Sequence, residues 1–514
     1  MLPKFLEARL PLLFVWLLAG LFAGLVYAMV MLGLDTSQTL LSPERSRSLH
    51  ISLMLYGFFP LLLSVLPFAL FEKEGVLSPD SLRHLGRYFV IWNVFLLFMS
   101  MAIAFGNIRG LPFYDFPYEL NFLLALSGVF YLLALIDALR RYEKRPLWVN
   151  VSLAVVVAAP VVLVVLMNPQ YGQVEKSLIG PHGDNTLGMS FALMPIYYLL
   201  IKLNARQPFE PRWHWLWIIP LAGYGVSLAI RNFLHPLSYN EEWFFQYLTL
   251  LYLPLLWVWV RDAGIRMGDN PYLILSILAF AFVDVQGNIL FVPELRELIH
   301  RNDLVVGHAH IAMGLGVAFM ALSIAHHLLP RFFGRLHAAV WALLMAVMAG
   351  ALSIAGLIEA GIVTGSVDLW FAIRAVAGAA MIVVVAAMMY PLLRVPLDTP
   401  LKRYHAIGFA SDALGGIVLL IAGGMLFEFF GFRFEGAYEY VVFAFMVGTR
   451  LVHWAGLHRH GEEMASLSAS IRLVVASVFM ALYMAGVVDA IALLVAAYDG
   501  AFALAYRLLL RERG

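Results

Sequence analysis

Three histidines in this chain have the type and spacing to hold metal-bearing groups. His308 and His310 stand two apart near the start of the apolar stretch DLVVGHAHIAMGLGVAFMALSIAHHLLPRFFG, residues 303–334, and His50 stands near the start of another. On a helix, residues i and i+2 point about 200° apart, because each residue turns the chain by roughly 100°. The pair therefore cannot share one metal, but it can serve two cofactors on opposite sides of one helix. Imidazole nitrogen is a usual axial ligand of haem iron, which makes haem the first candidate. The plainer alternative is that these are polar residues satisfied inside a helical bundle, although ionisable residues within membrane helices are costly and usually functional.

The elements that would position them are membrane helices. Of the 514 residues 62% are hydrophobic and only 13% charged, with a mean hydropathy of +0.84, which excludes a soluble domain of this size. Apolar segments of bilayer-spanning length recur from end to end and do not alternate as β-barrel strands do. Crossings are expected at 10–33, 47–71, 85–106, 118–140, 147–168, 185–204, 212–235, 242–261, 271–293, 303–330, 336–360, 368–394, 404–430, 437–457 and 470–496. The segment from Asp499 to Gly514, ending RLLLRERG, is short for a crossing and is expected at an interface. The N-terminal run has too long an apolar core for a cleaved signal and is taken as the first crossing. Loops after the even-numbered crossings are the richer in Lys and Arg, including Arg140, Arg141, Lys144, Arg145, Lys202 and Arg206. That bias places the N-terminus in the cytoplasm and puts His50, His308 and His310 at one depth in the outer leaflet. The absence of cysteine excludes disulfides, thiolate metal sites, iron–sulfur clusters and covalent c-type haem.

The segments LHISLMLYGFF around His50 and GHAHIAMGLGVAFMALSIAHHLLPRFFG resemble the second and tenth helices of the haem-copper oxidase catalytic subunit. FAIRAVAGAAMIVVVAAMMY resembles the twelfth helix of cbb-type cytochrome oxidases, and IAGLIEAG the end of their eleventh. The spacing from Gln286-Gly287 to His308 fits the same branch and the related nitric oxide reductases. The resemblance implies an all-α polytopic bundle, with a subunit I-like core of twelve helices over residues 1–395 and about three extra crossings in 396–514. It also implies two haem b groups: His50 and His310 would be the axial ligands of a low-spin haem, and His308 the proximal ligand of a high-spin haem.

The family's distal metal site is where the pattern departs. GPHGDNTLGMSF places Asp184 at the first ligand position, and AIRNFLHPLS places Asn232 and Phe233 at the histidine pair, with His235 three residues along. Phenylalanine cannot ligate, and an amide is a poor copper ligand. Gln286 stands where an acid is expected, and Tyr224 is two residues out of register with the tyrosine of the seventh helix. No distal copper is therefore expected, and the joint change makes Asp184, Asn232, Phe233 and Gln286 a degenerate catalytic site whose pocket Phe233 would dry. A mixed site of His182, Asp184, Asn232 and His235 is the weaker alternative, since His182 and Asp184 face differently on a regular helix.

Arg296, His300 and Arg301 precede the ligand helix, where haem propionates would need cationic partners; the alternative is an ordinary solvated loop. Arg231 either pairs with Asp184 or snorkels to the surface. Asp284 and Glu359 are membrane acids with the chemistry to feed protons, although helix-end solvation also accounts for Glu359; His326 and His327 read as interfacial, and RLVHWAGLHRHGEE, with His453, His458 and His460, reads as a basic membrane-surface loop, with metal binding the minor alternative. The resemblance implies a haem-carrying respiratory subunit of a prokaryotic cytoplasmic membrane. Its expected partners are the lipid bilayer, other respiratory subunits, a cytochrome c or quinol donor, and O2, NO or CO at the high-spin haem, with no nucleic acid. Rivals are a non-catalytic haem protein, such as a gas sensor or assembly subunit, and a haem-free transporter, against which the lack of paired broken-helix signals argues.

Overall fold

The computed structural model describes residues 1–37, 39–110, 114–167, 192–299, 302–393, 398–429, 432, 434, 436–458 and 461–511. Every regular element among them is a helix. Thirteen helical spans among the described residues are long and apolar enough to cross a membrane, so the chain is an all-α integral membrane protein. Two compact units are formed: residues 1–34 with 44–392, and residues 35–43 with 393–514.

In the first unit, α1 (Leu10–Met31) begins with proline in its first turn, where a missing N–H costs no hydrogen bond. The second crossing is not one regular helix. It runs as α2 (Pro43–Tyr56) and two short helices, Phe58–Leu63 and Leu66–Lys73. The break falls at Gly57, whose ψ of −117° leaves the helical region, and a side chain does not fit in that conformation, because a methyl group there would lie 2.4 Å from the Leu53 carbonyl oxygen. His50 sits on the unbroken part. Farther along come α3 (Trp215–Phe233), α4 (Tyr239–Tyr247), α5 (Pro271–Leu290) and α6 (Pro293–Ile299). Asn270 starts α5 by accepting from the Leu273 N–H at 3.2 Å, the usual duty of an N-cap amide.

The tenth crossing also departs from the regular helix expected over 303–330. It comprises α7 (Asp303–Ile311), a π-helical turn (Ala312–Val317) and α8 (Ala318–Leu328). A π turn displaces backbone carbonyls from their normal donors, and two side chains meet them: Trp341 Nε1 donates to Gly314 O at 2.9 Å and Ser276 Oγ to Gly316 O at 2.8 Å. The irregularity follows the histidine pair by two residues, so the phase between His308 and His310 is that of an ordinary helix.

The start of α7 is fixed by α9 (Arg335–Glu359). Asn302 accepts from the Leu304 N–H at 3.0 Å and donates to Gly356 O at 2.8 Å, while the Glu359 carboxylate accepts from the Asp303 N–H at 2.9 Å. Glu359 thus serves the positive end of the α7 dipole. Gly307 and Gly356 let the two helices meet: a methyl at Gly356 would lie 2.1 Å from Leu304 N, and one at Gly307 would lie 2.9 Å from Ala349 O. Small residues at a crossing are the common route to close helix packing in lipid. The twelfth crossing is α10 (Asp368–Leu393).

Among its described residues the second unit holds four helices: α11 (Pro400–Phe429), α12 (Ala437–His458), α13 (Gly461–Met484) and α14 (Ile491–Arg511). The crossing expected at 470–496 is therefore divided in two, and Asp499 belongs to the middle of a helix rather than to an interfacial tail. The reason is Gly486, whose φ of 69° favours glycine, with Gly486 N–H and Val487 N–H closing the end of α13 on Tyr483 O and Leu482 O at 3.0 Å each. His453 is likewise not in a surface loop. It is fully buried on α12, with Nδ1 3.1 Å from Nδ1 of His405 on α11; His460 lies outside the described residues.

Candidate metal centre

Helices α2 and α7 bring His50 and His310 close together. Their ring centres are 6.2 Å apart and their planes 17° from parallel. Two metal–imidazole bonds of about 2 Å each, plus the ring radii, come to about 6 Å, so the separation suits one metal ion between the rings. The His50 Nδ1–H donates to the Gly20 carbonyl of α1 at 2.8 Å, and the His310 Nδ1–H donates to Val306 O at 2.7 Å. Both bonds place the proton on Nδ1 and leave Nε2 with its lone pair, the form an axial ligand requires. Space for the His50 ring comes from α1, where a methyl group at Gly24 would lie 2.6 Å from Nδ1.

His308 faces a different neighbour. Its Nδ1 lies 3.3 Å from Oε1 of Gln286 on α5, so the amide oxygen accepts the Nδ1–H and again leaves Nε2 available. A methyl at Gly287 would lie 3.1 Å from Cε1 of His308, so glycine also makes room for this ring. The donor sets fit haem: a paired site with both Nδ1 protons committed to backbone, and a single histidine oriented by a neutral amide.

One buried cation belongs to this region although its sequence position gave it no role. Arg374 of α10 is 7% exposed, donates to the Met31 thioether at 3.0 Å and acts electrostatically on both His50 and His310. A thioether is a weak acceptor for a buried guanidinium, whereas a propionate would be a strong one. The signal for it was an arginine alone in FAIRAVAG, inside an otherwise apolar helix.

No family model and no curated protein matches the chain. Among solved structures, a chain of a haem-copper terminal oxidase dimer seen by cryo-EM superposes with a TM-score of 0.51, covering 76% of this chain and 82% of that one at 12% identity. The fold is that of a haem-copper terminal oxidase. At this identity the likeness is one of architecture.

Within this oxidase fold the remaining expected site residues distribute unevenly. Gln286 lies beside His308 as described, which makes it a ring-orienting group. Arg296 is not in a solvated loop: it is 3% exposed on α6, pairs with Glu242 of α4 at 3.2 Å and stacks over Tyr239 and Phe291 at 4.3 and 4.4 Å. Asn232, near the end of α3, donates to Leu228 O at 2.7 Å. Phe233 is 85% exposed, so its ring does not wall a dry pocket; it ends the helix pointing away from packed neighbours. His235 binds Pro236 O at 2.9 Å and lies 3.8 Å from Glu241. Asp284 accepts from Thr249 Oγ1. His326 donates from Nδ1 to Phe333 O at 2.6 Å, which ties down the chain after α8. His182, Asp184, His300 and Arg301 lie outside the described residues.

Proposed function

We propose that the chain is a respiratory subunit that carries electrons between two b-type haems, one held by His50 and His310 and one by His308, with the core of residues 1–395 as the electron-carrying part. The observation that carries this reading is the 6.2 Å, near-parallel approach of His50 and His310 with both Nδ1 atoms hydrogen-bonded to backbone oxygen. Haem iron in such a pair supplies one-electron exchange without ligand change, while iron on a lone histidine keeps a position for O2, NO or CO.

The protein's own groups set the conditions for that chemistry. Gly20 O and Val306 O fix the orientation of the paired rings, and hydrogen bonds of this kind raise ligand basicity. Gln286 fixes His308 without adding charge, where a carboxylate would add a negative one. Arg374 places a buried cation near the paired site and would neutralise a propionate. His308 and His310 are two residues apart on one helix, so the electron path across α7 is on the order of 10 Å or less, about the width of a helix.

Asp184, Asn232 and Phe233 at the distal ligand positions favour little or no copper and slow turnover of O2 or NO. The same departures favour a second reading, a non-catalytic haem subunit acting as gas sensor or assembly partner. Reduction by a cytochrome c or quinol donor separates the two, since a relay is reduced rapidly and a structural subunit is not. The orientation proposed, from the Lys and Arg bias of the loops, puts the N-terminus in the cytoplasm of a prokaryotic cell and the haems toward the outer side. Pyridine-haemochrome quantitation and metal analysis on one purified sample test the cofactor claim.

A further inference from the structure

Two helices of the first unit stop at one place and leave a basic cleft between them. The short helix Leu66–Lys73 ends beside the end of the helix Leu193–Asn204, where Lys73 Nζ donates to Lys202 O and Leu203 O at 2.9 Å each. The loop that follows is pinned to the end of a third helix, Tyr252–Asp262: the Arg206 N–H donates to Ala263 O at 3.0 Å and Gln207 Nε2 to Asp262 O at 2.7 Å. Between these anchors lies a cavity of 290 Å³ whose lining includes Lys73, Glu74, Lys202, Arg206, Pro208 and Phe209.

The charges around it do not balance. Lys202 Nζ lies 3.4 Å from Glu74, and Arg206 Nη2 contacts Asp269, so three cations share two carboxylates, and Lys202 acts electrostatically on Lys73. The carbonyls at the helix end answer Lys73 in part, which makes Lys202 and Arg206 the groups open to an anion. Their heads are reachable, since the Lys202 side chain is 18% exposed and that of Arg206 52% exposed. Arg206 engages Asp269 through Nη2, and its guanidinium carries further donors on Nε and Nη1. An anion between the two takes up such donors and relieves the repulsion among the cations.

The level of the cleft says which anion. Both helices end here, and Trp213 and Trp215, 48% and 52% exposed, stand after the loop at the start of α3; tryptophans gather at the headgroup layer of a bilayer. Phe209 packs against Tyr198 and Trp259, with ring centres 5.8 and 6.3 Å apart, and with Pro208 gives the cleft an apolar side next to its basic one. Basic pockets between membrane helices receive anionic lipid headgroups. The volume, at the small end for ligand pockets, suits a phosphate with its glycerol better than a nucleotide.

We propose that this cleft binds the phosphodiester of an anionic phospholipid, with Lys202 and Arg206 on the phosphate oxygens and Pro208 and Phe209 against the glycerol and the first methylene groups of the acyl chains.

The test is native mass spectrometry of the full-length protein in detergent, titrated with phosphatidylglycerol, phosphatidylcholine or inorganic phosphate. Wild type is expected to bind one phosphatidylglycerol about tenfold more tightly than phosphatidylcholine. Lys202→Gln is expected to weaken phosphatidylglycerol binding about fivefold, the effect of one basic residue facing anionic lipid. Lys202→Arg is expected to keep wild-type binding, as is Arg83→Gln, a charge-matched change at an exposed arginine outside the cleft. Ala205→Leu, which narrows the cleft and keeps every charge, is expected to lose binding even if Lys202→Gln does not fold. Equal affinity for the two lipids, wild-type affinity in Lys202→Gln or Ala205→Leu, an equal loss in Arg83→Gln, or displacement of the lipid by an equal concentration of inorganic phosphate would overturn the proposal.

Discussion

Gly24 faces the imidazole of His50 so closely that a single methyl group there would lie 2.6 Å from Nδ1 and 2.8 Å from Cε1. The ring is thereby held between the Gly20–Gly24 face of α1 and the ring of His310, with its Nδ1–H on Gly20 O. Gly24→Ala is expected to displace His50 rather than to unfold the chain, at a cost of about 1–3 kcal/mol as for other overpacked sites. Low-temperature EPR should show the low-spin signal shifted or partly lost while the high-spin signal persists; an unaltered low-spin signal would contradict the placement.

His50→Ala and His310→Ala are each expected to remove the same low-spin component, because on the proposed reading the two rings would share one metal position. His308→Ala is expected to remove only the high-spin component, since its ring turns toward Gln286. Optical and EPR spectra of the three variants check this. Loss of one common component in His308→Ala and His310→Ala would show that the two histidines act on a single site.

Arg374 is a buried cation that acts on both His50 and His310. A nearby positive charge favours the reduced, less positive state of an iron centre, so its removal lowers the midpoint potential. Arg374→Leu is expected to lower the low-spin potential by several tens of millivolts, matching about 1 kcal/mol for a partly buried charge pair. Redox titration followed optically measures it; an upward shift would place the arginine elsewhere in the electrostatics.

The helical membrane class and the opposite facing of His308 and His310 were legible because each rests on a local rule. Apolar segment length sets the crossings, and the i, i+2 phase separates His308 from His310 before the π turn at Ala312 can disturb it. What was not legible depended on neighbours far along the chain. Arg296 looked like a loop residue until Glu242, 54 positions earlier, was found to pair with it. His453 looked like part of a surface loop because its partner, His405, lies 48 positions away on another helix. The division of 470–496 into two helices hung on Gly486, one residue in an apolar run whose left-handed backbone conformation composition does not reveal. The motif position of Phe233 suggests a pocket wall, whereas the residue is 85% exposed because it ends α3, which the motif does not reveal.

The reduced high-spin haem is expected to bind CO, because its histidine is oriented and Nε2 is available. Turnover of O2 or NO is expected to stay far below the order of 10² s⁻¹ reached by many efficient enzymes, if Asp184, Asn232 and Phe233 stand at the distal ligand positions as the sequence resemblance implies. CO difference spectra and an oxygen electrode on one preparation check both halves. Turnover at that higher rate would mean that other groups carry out the chemistry.

The pair of b-type haems proposed on His50, His310 and His308 is tested most directly by cofactor stoichiometry. Pyridine-haemochrome assay with metal analysis on the purified chain is expected to give two protoporphyrin-type haems per polypeptide and little or no copper. A chain that folds without haem, or one that carries a single haem or stoichiometric copper, would contradict the account.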